Sequence, residues 1–291
     1  MLTRRSLAAT MAAFMFFPVN AQAREKGELL RRIAQKRQGG KPPDASRTQL
    51  GKGVTTVSYG PAKLDIHAPA GARGLPVVMF IHGGGWKNGN RKYVQTKPEF
   101  FTGKGYVFVS IDYRMLPEAE VTVQAKDVEA AFAFVRANIS KYGGDTNRIA
   151  VMGHSAGCHL AALTGMRGGL PGVAALVLND VENYDLVAFM QAGTKPRIYG
   201  EAFPDPAQWD ALSPTSYVNS GRHPPTMIAY SKTRGHEAAA KKFAASLKAA
   251  GTKVTLYDGS AYSHFAINRG FGAESGGMTG ATMAFLKSVL G

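Results

Sequence analysis

With 291 residues, 45% of them hydrophobic and 19% charged, the chain is long enough to bury a sizeable core, and its composition excludes a disordered protein. Lys and Arg outnumber Asp and Glu by 35 to 20, a formal charge of +15 that raises the question of nucleic acid or an anionic surface. The basic cluster between Arg24 and Lys41 has no interleaved aromatic residue and no nucleic-acid motif, so it reads as a solvated segment and nucleic acid is not expected as a partner.

The first 23 residues read as a secretory signal. Arg4-Arg5 precede an apolar run from Leu7 to Val19, and Ala21-Gln22-Ala23 supplies a small-residue cleavage site. Thr3-Arg4-Arg5-Ser6-Leu7 also resembles a twin-arginine export signal. Cleavage after Ala23 would leave a periplasmic or secreted protein of net charge +13. Residues 24–52 form a basic segment and linker that ends in the Gly39-Gly40-Lys41-Pro42-Pro43 stretch, and residues 53–291 form the folded domain. No apolar stretch there is long enough for a stable membrane span. Cys158 is the sole cysteine, so no internal disulfide can form, and it is expected to point into the core.

Within the domain, strand-like and helix-like segments alternate. Val54–Tyr59 and Ala62–His67 read as edge strands joined at Gly60-Pro61. Leu75–Ile81 and Tyr106–Ile111 are continuous apolar runs that suit buried parallel strands. Helical spacing marks Val123–Ser140, through Val128, Ala131, Phe132, Val135 and Ile139. Strands follow at Ile149–Met152, Val173–Leu178, Pro225–Tyr230 and Lys253–Asp258, with helices over Glu237–Ala250 and about Thr279–Leu290. The pattern predicts a mostly parallel sheet with helices on both faces. Leu186–His223 reads as one long irregular stretch carrying Phe189, Tyr199, Phe203 and Trp209, and is expected to form a partial lid.

The chemistry centres on Gly153-His154-Ser155-Ala156-Gly157 at the exit of the Ile149–Met152 strand. Small residues on both sides of a serine permit a sharp strand-to-helix turn that projects its hydroxyl into a cleft. The following helix aims its amides at negative charge developing there. Ser155 is therefore the expected nucleophile. His82-Gly83-Gly84-Gly85-Trp86 directly follows a buried strand, and its glycines let backbone N–H groups approach an oxyanion. Gly84, Gly85 and Ala156 are the expected donors, with Gly83 setting the turn. Glycine loops also cradle phosphates, but no G-K-[ST] follows this one. Of seven histidines, His264 stands just past the last strand, where the serine–acid–histidine order of this motif set puts the base.

These motifs, together with Asp112-Tyr113-Arg114-Met115-Leu116-Pro117-Glu118, resemble the α/β-hydrolase superfamily from about Gly53 to the C-terminus. Within it the chain is similar to the hormone-sensitive-lipase-like and kynurenine-formamidase-like carboxylesterases, which include feruloyl and acetyl esterases. The resemblance implies an eight-stranded α/β-hydrolase fold with a partial lid between strands six and seven, no metal, no cofactor, and hydrolysis through an acyl-enzyme.

One departure bears on the triad. Such relatives carry the acid after the seventh strand, usually as Gly-x-x-Asp or Gly-x-x-Glu. Here that place reads Tyr230-Ser231-Lys232-Thr233-Arg234-Gly235-His236-Glu237. The sixth strand instead ends Leu178-Asn179-Asp180, a triad position seen in lipases of the pancreatic type. Asp180 is thus preferred as the acid over Glu237, with Asp185 below both, and a triad without a carboxylate is the remaining alternative. Trp86, Tyr113, Tyr184, Trp209 and Tyr262 are candidates to line a pocket for a small-molecule or polymer-linked ester with a small or aromatic acyl group. Two alternatives stand beside the esterase: an arylformamidase or amidase of the same fold, and a non-catalytic binding module on a hydrolase scaffold. Oligomeric state is not legible.

Overall fold

The computed structural model describes residues 53–193, 195–219, 222–273 and 276–291. The expected signal and basic segment lie outside the described residues. Eight strands run in chain order: β1 (Val54–Ser58), β2 (Lys63–His67), β3 (Leu75–Ile81), β4 (Val107–Ile111), β5 (Gly144–His154), β6 (Ala175–Asn179), β7 (Thr226–Ser231) and β8 (Val254–Gly259). They form one sheet of order β1-β2-β4-β3-β5-β6-β7-β8. β2 pairs antiparallel with β1 and β4, and the other neighbours pair in parallel. This is the sheet of an α/β-hydrolase.

The central strands are apolar throughout because both faces are covered. Side chains alternate across a strand. Val77, Met79 and Ile81 of β3 therefore enter one core, and Val78 and Phe80 enter another on the opposite face. The first core is closed by α2 (Val121–Asn138), α3 (Ala156–Met166) and α6 (His236–Ala249). The second is closed by α1 (Lys97–Gly103) and α8 (Gly277–Leu290). Every residue of α3 is buried, which fits a helix held between the sheet and its neighbours rather than an amphipathic surface helix.

The structure adds elements that periodicity did not mark. α1 is only seven residues long and contains Pro98 and Gly103, too short to establish a period. The stretch expected to be irregular, Leu186–His223, carries α4 (Leu186–Gln191), α5 (Arg197–Ala202) and two single 3₁₀ turns, Pro206–Gln208 and Pro214–Tyr217. Tyr199 and Phe203 are buried there against Trp86, with ring centroids 5.2 and 4.9 Å from the indole. The short helix α7 (Ala266–Arg269) follows β8.

An ion-pair clamp ties the antiparallel edge to the loop after β3. Arg91 Nε donates to buried Asp65 at 2.8 Å and Nη1 donates to Asp112 at 2.7 Å. The carboxyl ends of β3, β5, β6, β7 and β8 all open on one edge of the sheet, where open parallel sheets bind their ligands.

Candidate active site

Ser155 links β5 to α3 with φ 57° and ψ −124°, a conformation that L-residues rarely adopt. Such strain costs on the order of 1–3 kcal/mol and persists only where neighbours enforce it. Here the flanking glycines do so. A Cβ on Gly153 would lie 2.1 Å from the Gly157 carbonyl oxygen, and one on Gly157 would lie 2.2 Å from that of Ile81. The Ser155 N–H also donates to the backbone carbonyl of Asp180 at 3.0 Å.

Three side chains then fall into line. His264 Nε2 is 2.9 Å from Ser155 Oγ, and its Nδ1 is 2.7 Å from Asp180 Oδ2. Asp180, fully buried at the end of β6 with φ 62°, also accepts on Oδ1 from the Ser231 N–H at 2.7 Å and from His236 Nδ1 at 2.9 Å. Burial alone would raise the Asp180 carboxyl, but the hydrogen bonds from His236 and His264 outweigh it and hold the group well below the usual carboxylate range. It is an anion at any pH at which His264 could act as a base.

The His264 loop is held from beneath as well. His154 Nε2 bonds the His264 carbonyl oxygen at 2.8 Å, so that nitrogen carries the proton. Burial and the nearby His264 ring push His154 down to about 3, which keeps its ring neutral. His82, the other histidine inside a motif, stacks on Tyr113 with centroids 4.4 Å apart, and burial lowers it.

The glycine loop comes against the serine from β3. A Cβ on Gly83 would meet Ser155 Cβ at 2.9 Å, and one on Gly84 would collide with the Asn88 carbonyl oxygen at 1.8 Å. Gly85 and Ala156 line the cavity over Ser155, whereas Gly84 sits one residue back, its carbonyl accepting from the Lys87 and Asn88 N–H groups. The cavity measures about 420 Å³. Trp86, Val181, Ile198, Tyr199 and Phe265 give it apolar walls; Glu182, Thr233 and Ser263 are polar points in them, and among the described residues no Lys or Arg lines it.

Among the residues expected to bind substrate, Trp86 lines this cavity and four do not. Tyr113 is buried, its hydroxyl donating to the His82 carbonyl at 3.0 Å. Tyr184 stacks on Phe243 at 4.2 Å with its hydroxyl beside Cys158, and borders a separate hollow. Trp209 donates its Nε1–H to the Phe203 carbonyl at 3.0 Å. Tyr262 packs against the core of the opposite face. Aromatic character alone could not tell which way each ring points. Sequence reasoning named Tyr199 only as part of the lid stretch, and it missed Ile198, Phe265 and His236 among other wall residues such as Val181 and Thr233.

Glu237, the alternative acid, lies on the exposed side of α6 and pairs with Lys241 at 2.6 Å. Asp185 caps α4 by accepting from the Ala188 N–H. Cys158 is fully buried, and burial pushes its thiol up, away from any nucleophilic thiolate.

Residues 64–181 match the family model described as BD-FAE. The esterase LipC of Mycobacterium tuberculosis is 43% identical over 98 residues, 33% of this chain and 24% of that protein. The probable isoprenylcysteine alpha-carbonyl methylesterase ICMEL1 of Arabidopsis thaliana is 36% identical over 103 residues, 35% of this chain and 22% of that protein. The match thus spans about a quarter of the length of these curated relatives. The esterase LipQ of M. tuberculosis aligns more widely, at 28% identity over 76% of this chain and 57% of its own length. Among solved structures, esterase 2 of Thermogutta terrifontis superposes with a TM-score of 0.63 and 25% identity over 81% of this chain and 90% of its own.

Proposed function

We propose that this chain, an α/β-hydrolase, is a serine carboxylic-ester hydrolase working through an acyl-enzyme. The observation that carries the reading is the continuous line Asp180 Oδ2–His264–Ser155 Oγ, closed by hydrogen bonds of 2.7 and 2.9 Å beneath a lined cavity. The similarity to esterases LipC, LipQ and Thermogutta terrifontis esterase 2 supports it.

In the proposed cycle, Ser155 Oγ attacks the acyl carbon while its proton passes to His264 Nε2. The carbonyl oxygen gains negative charge, and the amides of the Gly84–Gly85 turn and of Ala156 stabilise it. Collapse breaks the ester bond, and the leaving alcohol takes the proton back from His264. Water then repeats the sequence on the acyl-enzyme, releasing the acid and restoring Ser155. Asp180 stays ionised throughout, holding the Nδ1–H tautomer of His264 and offsetting the imidazolium charge.

The cavity supports a neutral acyl group of small or aromatic type. Glu182 is in its wall and, among the described residues, no Lys or Arg is, so an anionic acyl group would meet repulsion there. Acetyl and feruloyl esters both satisfy these conditions. We read the Leu7–Val19 run and the Ala21-Gln22-Ala23 site as an export signal, giving a periplasmic or secreted enzyme.

A fluorophosphonate probe tests the nucleophile. One adduct on Ser155, abolished in Ser155→Ala, is expected; folded protein left unlabelled would reject catalysis in favour of a binding module. A Thermogutta esterase of this fold is described as phosphonylated by sarin, which makes the probe class apt. A panel of chromogenic acetate, butyrate and feruloyl esters, each with a matched amide, then ranks acyl groups, and faster turnover of the amides would shift the assignment to an amidase.

A further inference from the structure

Asp180 receives two more donors than the His264 contact of a triad requires, and one of them is a side chain. His264 occupies Oδ2, while the Ser231 N–H and His236 Nδ1 both converge on Oδ1. The His236 side chain is 4% exposed and its ring stands edge-on to that of His264, with centroids 5.2 Å apart and planes at 76°. His236 is the first residue of α6, just after β7. Its Nδ1 must carry the proton, because a carboxylate only accepts.

With His264 on Oδ2 and only the Ser231 N–H on Oδ1, the carboxylate can still rock about its Cβ–Cγ bond. A second donor arriving on the same oxygen from a different element fixes the plane, and with it the direction in which Oδ2 points. Each donor also draws off part of the negative charge that would otherwise act on His264.

We propose that His236 is a positioning residue of this site: by donating Nδ1–H to Asp180 Oδ1 it sets the carboxylate plane and moderates the basicity of His264. The proposal rests on the reading of Ser155, His264 and Asp180 as a catalytic triad. A histidine kept merely for packing would share the burial but leave the basicity of His264 unaffected.

Other titratable groups face the pair. The His154 ring centroid lies 4.7 Å from that of His264, the Asp180 charge acts on Cys158 and Tyr184, and that of Lys97 acts on His154. Glu182 borders the cavity. Burial keeps His154 neutral, and Cys158 and Tyr184 protonated, near pH 7. Lys97 and Glu182 are common to all variants, so differences between variants isolate His236.

The test is the pH profile of kcat/KM for a chromogenic ester in wild type, His236→Phe and His236→Asn. Phenylalanine keeps volume but removes the donor; asparagine returns an N–H near the position of Nδ1. In His236→Phe we expect kcat to fall about tenfold or more with KM nearly unchanged, and the acidic limb to move up by about half a pH unit or more. In His236→Asn the limb returns toward wild type and kcat recovers at least in part. A phenylalanine variant whose limb does not move, or an asparagine variant no better than it, overturns the proposal while leaving the triad intact. Should His236→Phe not fold, His236→Leu replaces it in the same comparison. A wild-type protein that neither hydrolyses esters nor labels at Ser155 overturns the triad reading and this proposal together.

Discussion

Replacing Asp180 by asparagine changes one atom in a fully buried group, and the surrounding donors dictate the result. The Ser231 backbone N–H must still find an acceptor, so the asparagine carbonyl oxygen takes the place of Oδ1. The amide NH₂ is then left at the position of Oδ2, pointing at His264 Nδ1. A donor facing Nδ1 forces the proton to Nε2, and a protonated Nε2 cannot accept from Ser155 Oγ 2.9 Å away. The geometry stays intact and the tautomer becomes wrong, an effect worth about 10⁴-fold in turnover, or about 5.5 kcal/mol of barrier. The assay is kcat and KM on a chromogenic ester, with Glu237→Gln as the control because Glu237 pairs with Lys241 on an exposed helix face. We expect the control to stay near wild type. Asp180→Asn within tenfold of wild type, or Glu237→Gln the more severe of the two, would refute the assignment of the acid.

The remaining predictions concern the scaffold. Lys97 is fully buried, donating to the Asn268 carbonyl at 2.9 Å and lying 5.0 Å from the Phe80 ring centre, and burial pushes it down to about 7. From there up to about 10.5 the unfolded chain holds a proton that the folded chain does not, so stability should rise with pH across that window. Lys97→Met should flatten the rise and raise stability at pH 6, by at most roughly 5 kcal/mol less the lost cation–π contact, as read by urea unfolding at several pH values; an unchanged slope would contradict this. Gly83→Ala would press a methyl group against Ser155 Cβ, and a displacement on the order of 1 Å should cut kcat about 10²-fold while near-wild-type thermal unfolding shows the fold intact. Arg91→Ala strips the cation from buried Asp65 and should cost about 3 kcal/mol in denaturant unfolding, whereas Lys241→Ala, which breaks an exposed pair, should be nearly silent.

The sheet was legible because buried parallel strands read as unbroken apolar runs, and each of the eight falls where such a run or an edge alternation stands. What escaped was short. α1, α4 and α5 have seven, six and six residues, less than two full helical turns each, so no period develops. At the site, Ser155 stood out because its conformation needs the glycines beside it, a requirement written in adjacent letters. The contact between His236 and Asp180 leaves no such mark, since 56 residues separate them and only the pairing of β6 with β7 joins them. Three of the four expected pocket residues that lie elsewhere share one reason. Tyr113, Tyr184 and Trp209 each spend their polar atom on a buried partner, and that partner is known only once the chain is folded.

The placement of the acid follows from the same strand pairing. β6 and β7 are parallel neighbours, and the Asp180 N–H donates to the Ala229 carbonyl at 3.1 Å, so the ends of the two strands lie about one strand spacing apart. From either end a short carboxylate side chain can reach an imidazole arriving after β8, which makes the two sites exchangeable in distance. They are not equivalent in surroundings. An acid after β7 would stand at the exposed bend that here holds Arg234, whereas Asp180 lies fully buried and must be surrounded by donors to remain charged. Ser231, which ends β7, and His236, which opens α6, supply those donors. With the carboxylate at the end of β6, the last residue of β7 and the first of α6 face it as donors, through the Ser231 amide and the His236 ring.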